Sequence, residues 1–313
     1  MAKRPTVPLE ALVDPARPIT YGIVQPGPHV PDGVPYVRVV DMHGGTVMAE
    51  RLRRTTSEIA KAYRRAALAT GDLLVSIRGH VGRTAFVPPE VEGANLTQDT
   101  ARVAVSAEAE PRYVRWYVES PGARRWMAKH TEGVAVTGIS LSDLRRLPVS
   151  LPTRAEQVRI ADILDRADVI RRMRKEALGL AEALQRSAFL EQFGDPNVNA
   201  KGWKTRPFES AVRDATGGNA KVPQSEYLAR GAIPIVDQGA TTIGGWTDRD
   251  ELIAQVGLPA VVFGDHTKHV KWLERPFVLG ADGVKVLEPL EGVKPSYLLW
   301  ACRLFRFPDA GYS

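Results

Sequence analysis

Residues 151–196, LPTRAEQVRIADILDRADVIRRMRKEALGLAEALQRSAFLEQFGDP, constrain this chain more than any other stretch. They predict one long helix. Thr153 is placed to cap its start, and Glu156 follows three residues later, as a capping box requires. Pro152 stands just before the cap. At the far end Phe193 is followed by Gly194, Asp195 and Pro196, a stop signal. Gly179 is the only Gly or Pro between these ends, so about 40 residues run on for roughly 60 Å. Ile160, Ile163, Ala167, Ile170, Arg174, Ala177, Ala181, Leu184 and Ala188 form a seam with alternating steps of three and four. Only Arg174 interrupts its apolar character. Such a seam asks for a partner helix along its length, and its alanines favour close approach. The length and the charges on the other faces set it apart from a core helix of a globular domain.

The 313 residues are enough for two or three domains with real cores. Hydrophobic residues make up 44% and charged residues 25%, which is ordinary for a globular protein. No apolar run approaches the ~20 residues of a membrane span, and the first residues lack a secretory apolar core. With Cys302 the single cysteine, a disulfide framework is excluded. A cytoplasmic protein without a membrane association is the expectation. The net charge of +6 permits polyanion binding. Residues 1–152 carry 20 Lys and Arg against 15 Asp and Glu, so most of the excess lies there.

The chain on either side of the helix has one grammar. Before it, VPYVRVV (34–40), DLLVSIR (72–78) and ARVAV (101–105) predict strands, and 111–130 predicts a helix interrupted near Pro121. That helix is read as the most basic segment of its domain, with Arg112, Arg115, Arg124, Arg125 and Lys129. A loop at 131–144 leads on to the long helix. After it, AIPIVD (232–237), PAVVFG (259–264) and GVKVLEP (283–289) predict strands, and 294–305 a helix. Tyr113 follows Gly71 by 42 residues, and Tyr297 follows Gly257 by 40. The offset of about 185 residues points to two diverged copies of one domain. The expected fold class is α+β: two strand-rich domains, residues 1–150 and 197–313, joined by a long coiled-coil-forming helix at 151–196.

No phosphate loop, no G-x-G-x-x-G fingerprint and no H-E-x-x-H occur. No Asp or Glu lies two residues before a Lys, which removes a common nuclease metal arrangement. His266 and His269 with Asp265 read as a hydrogen-bonding loop in preference to a metal site, because no third clear ligand is near. Asp282 and Lys285 read as an ordinary turn. What remains are polar loops beside strands. SIRGHVGR (76–83) carries Arg78, His80 and Arg83, and ANLTQDT (94–100) carries Asn95 and Gln98. In the second half DQGATTIGG (237–245) carries Gln238, and GDHTKHVKW (264–272) carries His266, Lys268 and Lys271. Arg and Lys suit guanine edges and phosphates, Asn and Gln suit adenine edges, and these nine residues are the candidate DNA contacts. A solvated loop is the plain alternative for each.

The stretch LPVSLPTRAEQVRIADILDRAD, ending in LEQFGDP, resembles the region between the two target-recognition domains of type I restriction–modification specificity subunits. GDLLVSIRGHVGRTAFV and NLTQDTARVAV resemble the first such domain. IPIVDQGA, VVFGDHTKHVKW and FVLGADGVKVLEP resemble the second. The resemblance implies a non-catalytic reader of a bipartite double-stranded DNA target, with no cofactor of its own. It implies methyltransferase and restriction or translocase subunits as partners. Glu156, Gln157, Ile160, Ile163, Ile170, Arg174 and Leu184 are then the candidates for helix pairing and subunit docking. The family also carries a second helix, which the repeat offset places near residue 338, beyond Ser313. The expectation is a truncated or split subunit that self-associates through the seam or leans on another subunit. The rival readings are a specificity subunit of a related restriction–modification system, a DNA-binding regulator with a dimerising coiled coil, and an enzyme with methylation or cleavage built into this chain, against which the missing motifs argue.

Overall fold

The computed structural model describes residues 5–132, 137–281 and 283–307. Residues 133–136 of the loop read before the helix, the turn residue Asp282, and both chain ends lie outside the described residues. The chain divides into two compact units, Met1–Met173 and Arg174–Ser313.

The first unit is built on a six-stranded sheet. Its order is Thr20–Tyr21, Thr100–Val103, Leu73–Ser76, Thr84–Phe86, Thr46–Val47, Met42–His43. The central strand Leu73–Ser76 is buried on both faces, so side-chain alternation feeds two cores. Leu73 and Val75 enter one cluster with Ala101, Val103, Tyr113, Val114, Val118 and Met127. Leu74 enters the other with Val37, Met42, Ala85 and Leu96. Each such Leu or Val withdrawn from water contributes ~1.5–3 kcal/mol. A second sheet places Val34–Val37 between Arg53–Thr55, antiparallel, and Asn95–Leu96, parallel. The basic segment forms two helices, Pro111–Glu119 and Pro121–Lys129. Ser120 divides them, and its hydroxyl accepts from the Ala123 N–H at 3.2 Å as an N-cap.

The second unit repeats this plan. Its larger sheet runs Val212–Asp214, Val284–Pro289, Ala260–Gly264, Val270–Leu273. Ala260–Gly264 is again buried on both faces: Val261 and Phe263 join one cluster, Ala260 and Val262 another. The smaller sheet places Ile233–Val236 between Gly245–Thr247, antiparallel, and Val278–Leu279, parallel. The two three-stranded sheets therefore share one order and one mixture of directions. Helix Pro295–Leu304 answers Pro111–Glu119: both begin with Pro, and Tyr and Trp fall at the third and sixth positions of each. Burial pushes the Cys302 thiol up to about 11, so it packs as a neutral apolar group.

Arg154–Phe193 is one unbroken helix of 40 residues. Thr153 Oγ1 accepts from the Glu156 N–H at 3.3 Å, and Glu156 Oε2 accepts from the Thr153 N–H at 3.1 Å. This is the expected capping box. Gly194 closes the far end at φ +83°, a left-handed conformation suited to glycine.

The face by which the helix packs inside the first unit differs from the seam. The buried positions are Gln157, Ala161 and Asp168, with Ile160 partly covered. Gln157 is 1% exposed; its Oε1 accepts from the Glu110 N–H and its Nε2 donates to the Pro152 carbonyl, both at 2.9 Å. Gln157 therefore serves the helix start and the first unit, a correction to its reading as a docking residue, while Glu156 caps the helix and stays exposed. Ile163, Ile170 and Leu184 remain exposed at 57, 65 and 71%. Arg174 is exposed as well.

Candidate nucleic-acid interface

In the first unit the turn after Leu73–Ser76 is fastened from within. The buried Ser76 hydroxyl donates to the His80 carbonyl and accepts from the Arg83 N–H. Gly79 and Gly82 take φ of +67° and +83°, which lets the chain reverse twice within a few residues. The result holds Arg78, His80 and Arg83 outward, all three exposed. Arg78 lies 3.8 Å from Asp99, next to half-buried Gln98, whose amide reaches the Val24 carbonyl at 3.5 Å.

In the second unit the turn after Ala260–Gly264 is fastened by a different device. Thr267 Oγ1 donates to the Gln238 carbonyl at 2.5 Å. A Cβ on Gly264 would meet that hydroxyl at 2.3 Å, so the strand end requires glycine. Lys268 takes φ +58°, and its Nζ donates to the Asp265 carbonyl at 2.7 Å. His266, Lys268 and His269 are exposed. Gln238 is brought against this turn, half-buried, with its Oε1 lacking a hydrogen-bond partner among the described residues. Asp265 sits where the sequence reading placed it, in a hydrogen-bonding loop, whereas Thr267, which shapes the site, was not singled out because a lone threonine carries no recognisable pattern.

Two candidates are corrected. Asn95 is 2% exposed, and its amide donates to the Ala60 and Tyr63 carbonyls at 3.4 and 3.2 Å. Lys271 is 5% exposed, and its Nζ donates to the Asp237 carbonyl and lies 3.4 Å from the Asp237 carboxylate. Burial lowers the Lys271 pKa, and the Asp237 charge opposes that fall. Both side chains hold the fold and cannot reach a base edge.

The basic segment at 112–129 is also divided by the structure. Arg112 pairs with Glu110 at 3.0 Å, Asp162 at 2.8 Å and Asp165 at 3.0 Å. The Asp162 and Glu110 hydrogen bonds hold its pKa above the usual guanidinium range against the cost of burial. Trp116 Nε1 donates to Asp165 at 2.8 Å, and the Arg115 guanidinium lies 4.4 Å over the Trp116 ring. Burial raises the Asp168 carboxyl, but Arg171, Arg172 and Arg115 outweigh it and hold the pKa below the ordinary value. Arg112 therefore ties its helix to the long helix, while Arg115 pairs with Glu119 on its own helix at 3.7 Å and lends its charge to Asp168. Arg124, Arg125 and Lys129 stay exposed.

Residues 51–65 were missed. They carry Arg51, Arg53, Arg54, Lys61, Arg64 and Arg65 against Glu58 alone, a net of +5. A short-window charge count would have found them. Among the described residues no group of three or more His, Cys, Asp or Glu is placed to hold a metal ion. No helix among the described residues is long and apolar enough to cross a membrane.

Comparison with known proteins bears on these surfaces. Residues 29–178 match the family model of the type I restriction modification DNA specificity domain. The specificity subunit of the type I restriction enzyme EcoBI, from Escherichia coli, is 30% identical over 190 residues, 59% of this chain. The match covers 40% of that relative's length. The crystal structure of a type I restriction-modification S subunit from M. genitalium shares the fold, with a TM-score of 0.53 at 15% identity. That likeness covers 96% of this chain and 77% of the other. Residues 29–178 thus match a type I restriction modification DNA specificity domain, and over 190 residues the chain is similar to a type I specificity subunit of which it spans less than half.

Proposed function

We propose that this chain reads a bipartite double-stranded DNA target, one half by each unit, and docks methyltransferase and restriction or translocase subunits for a type I system. In this reading it carries no catalytic group of its own, and its partners supply the chemistry. One observation supports it above the others. Two units that share the order of their three-stranded sheets each end their doubly buried strand in a fastened polar turn, with Arg78, His80 and Arg83 on one and His266 and Lys268 on the other. Rigid presentation of a few donors is what base readout requires. Gln98 and Gln238 stand beside these turns as further donors or acceptors. The exposed seam of the long helix supports pairing, either with a second copy or with a helix of another subunit.

Selection of bound duplexes from a randomised pool tests this reading. The expected product is a two-part consensus. Arg78→Ala should relax one part and Lys268→Ala the other, each weakening binding by ~1–3 kcal/mol if the side chain reaches a base edge. No enrichment from the pool, with or without the partner subunits, would sink the proposal.

A further inference from the structure

The 51–65 segment is built unlike an ordinary solvated stretch. Its backbone is held from several sides. Arg38 Nη2 donates to the Arg51 carbonyl at 3.4 Å, His29 Nδ1 accepts from the Arg54 N–H at 3.1 Å, and Thr55 Oγ1 donates to the Pro26 carbonyl at 2.6 Å. The two buried polar side chains Asn95 and Arg102 complete the support. Asn95 takes the carbonyls of Ala60 and Tyr63, and Arg102, 4% exposed, takes those of Arg65 and Ala67 at 2.8 and 3.1 Å. Against this fixed backbone most of the cations are left without partners, the exceptions being Arg54, which donates to the Gly33 carbonyl at 2.9 Å, and Lys61, whose charge acts on Glu58. Arg51, Arg53, Arg64 and Arg65 are exposed, and among the described residues their side chains make no hydrogen bond or ion pair. Like charges this dense repel one another and weaken the compact state unless a counter-charge arrives.

The surface is not suited to a protein partner. Protein interfaces centre on apolar or aromatic anchors, and no large apolar side chain between 51 and 65 is among the exposed ones. Interfaces with DNA are more polar and far more positive. The segment is also continuous with the Gly-rich turn. Arg83 of that turn donates to the Val39 carbonyl at 3.4 Å, and the adjacent Arg38 holds Arg51. The matched specificity domain, 29–178, contains the whole segment.

We infer that residues 51–65, led by Arg53, Arg64 and Arg65, are a phosphate-backbone contact surface for duplex DNA, placed beside the turn of Arg78, His80 and Arg83. The inference rests on the DNA-reading proposal and adds a sequence-independent grip to it. Phosphate contacts position a protein on the duplex without choosing its sequence. The segment should therefore govern affinity and its salt dependence while leaving base preference alone.

The test is fluorescence anisotropy of the full chain on a labelled duplex across a series of potassium chloride concentrations. Each phosphate neutralised contributes about 0.9 to the slope of log K against log salt. An Arg53→Ala, Arg64→Ala, Arg65→Ala triple variant is expected to flatten the slope by about 2 to 3, and Arg64→Ala alone by about 0.9. The consensus selected from a random pool should be unchanged. Lysine at the same three positions should restore the slope, since charge and not a bidentate fork is at work. A wild type that binds with a steep slope, beside a triple variant of equal slope and affinity, overturns the inference while the DNA-reading proposal stands. A flattened slope that lysine does not restore also overturns it, as does a shifted consensus. A wild type that binds no duplex at any salt removes the DNA-reading proposal and this inference with it.

Discussion

Side chains that look alike in the sequence are put to opposite uses. Gln98, Asn95 and Gln157 are all amides in polar stretches, yet Asn95 and Gln157 are buried and saturated. Gln157 joins the start of the long helix to the Glu110 N–H and the Pro152 carbonyl. Truncation would leave a donor and an acceptor unpaired away from water, at ~1–3 kcal/mol. Gln157→Ala is expected to lower the free energy of unfolding by that amount, read as a lower urea midpoint with the m-value unchanged. A midpoint equal to wild type would show that water replaces the amide there. Arg102 illustrates the same principle with a charge. Burial lowers its pKa, and carbonyls of Arg65, Ala67 and Pro18 take its terminal hydrogens. Removing it should loosen the 64–67 turn from beneath.

The long helix keeps two accounts along its length. Its first turns meet the first unit through small or polar residues, Gln157, Ala161 and Asp168, with Asp165 held by Arg112 and Trp116. Near its end Phe189 is buried against Phe193 and Tyr297, with ring centroids 5.0 and 5.5 Å away. Between these anchors the apolar seam is bare. A helix gains little from propensity alone, and burying each Ile or Leu of the seam is worth ~1.5–3 kcal/mol. The chain alone is expected to associate at tens of micromolar, or to take up a partner helix when offered one. Sedimentation of wild type against an Ile163→Asp, Ile170→Asp variant checks this. A wild type that sediments as a monomer and fails to bind the other subunits more tightly than the variant would discard the seam as a docking face.

At the scale of the molecule the central fact is repetition. A doubly buried strand, a fastened polar turn and a following Pro-x-Tyr helix occur in each unit, and one helix belongs to both. If each unit reads its own half-site, the length of that helix bears on the spacer. Seven residues inserted beside Gly179 preserve the heptad phase and add roughly 10 Å of helix. In a host supplying the remaining subunits, methylation mapping should then report a longer spacer or no target at all. An unchanged target would show that the helix does not set the spacing.

The elements themselves were legible in the sequence. Short continuous apolar runs such as 73–76 and 260–264, and the cap and stop residues of 153–194, act over a few neighbours, so local sequence suffices to specify them. The duplication was legible as well, because a shared topology preserves the spacing of its glycines and tyrosines. The fate of individual polar side chains was not. Asn95 meets its partners 32 and 35 residues away, and Lys271 meets Asp237 34 away, across strands that only the folded chain brings together. The packing face of the long helix was hidden for the same reason. Hydrophobic periodicity marks the stripe that wants burial, but the first unit offers this helix Arg112, Arg115 and Trp116, and to those a polar stripe of amide and carboxylates is the better match. Sequence thus determined which segments become strands and helices, while tertiary contact decided which of their polar groups are engaged inside and which stay free to bind.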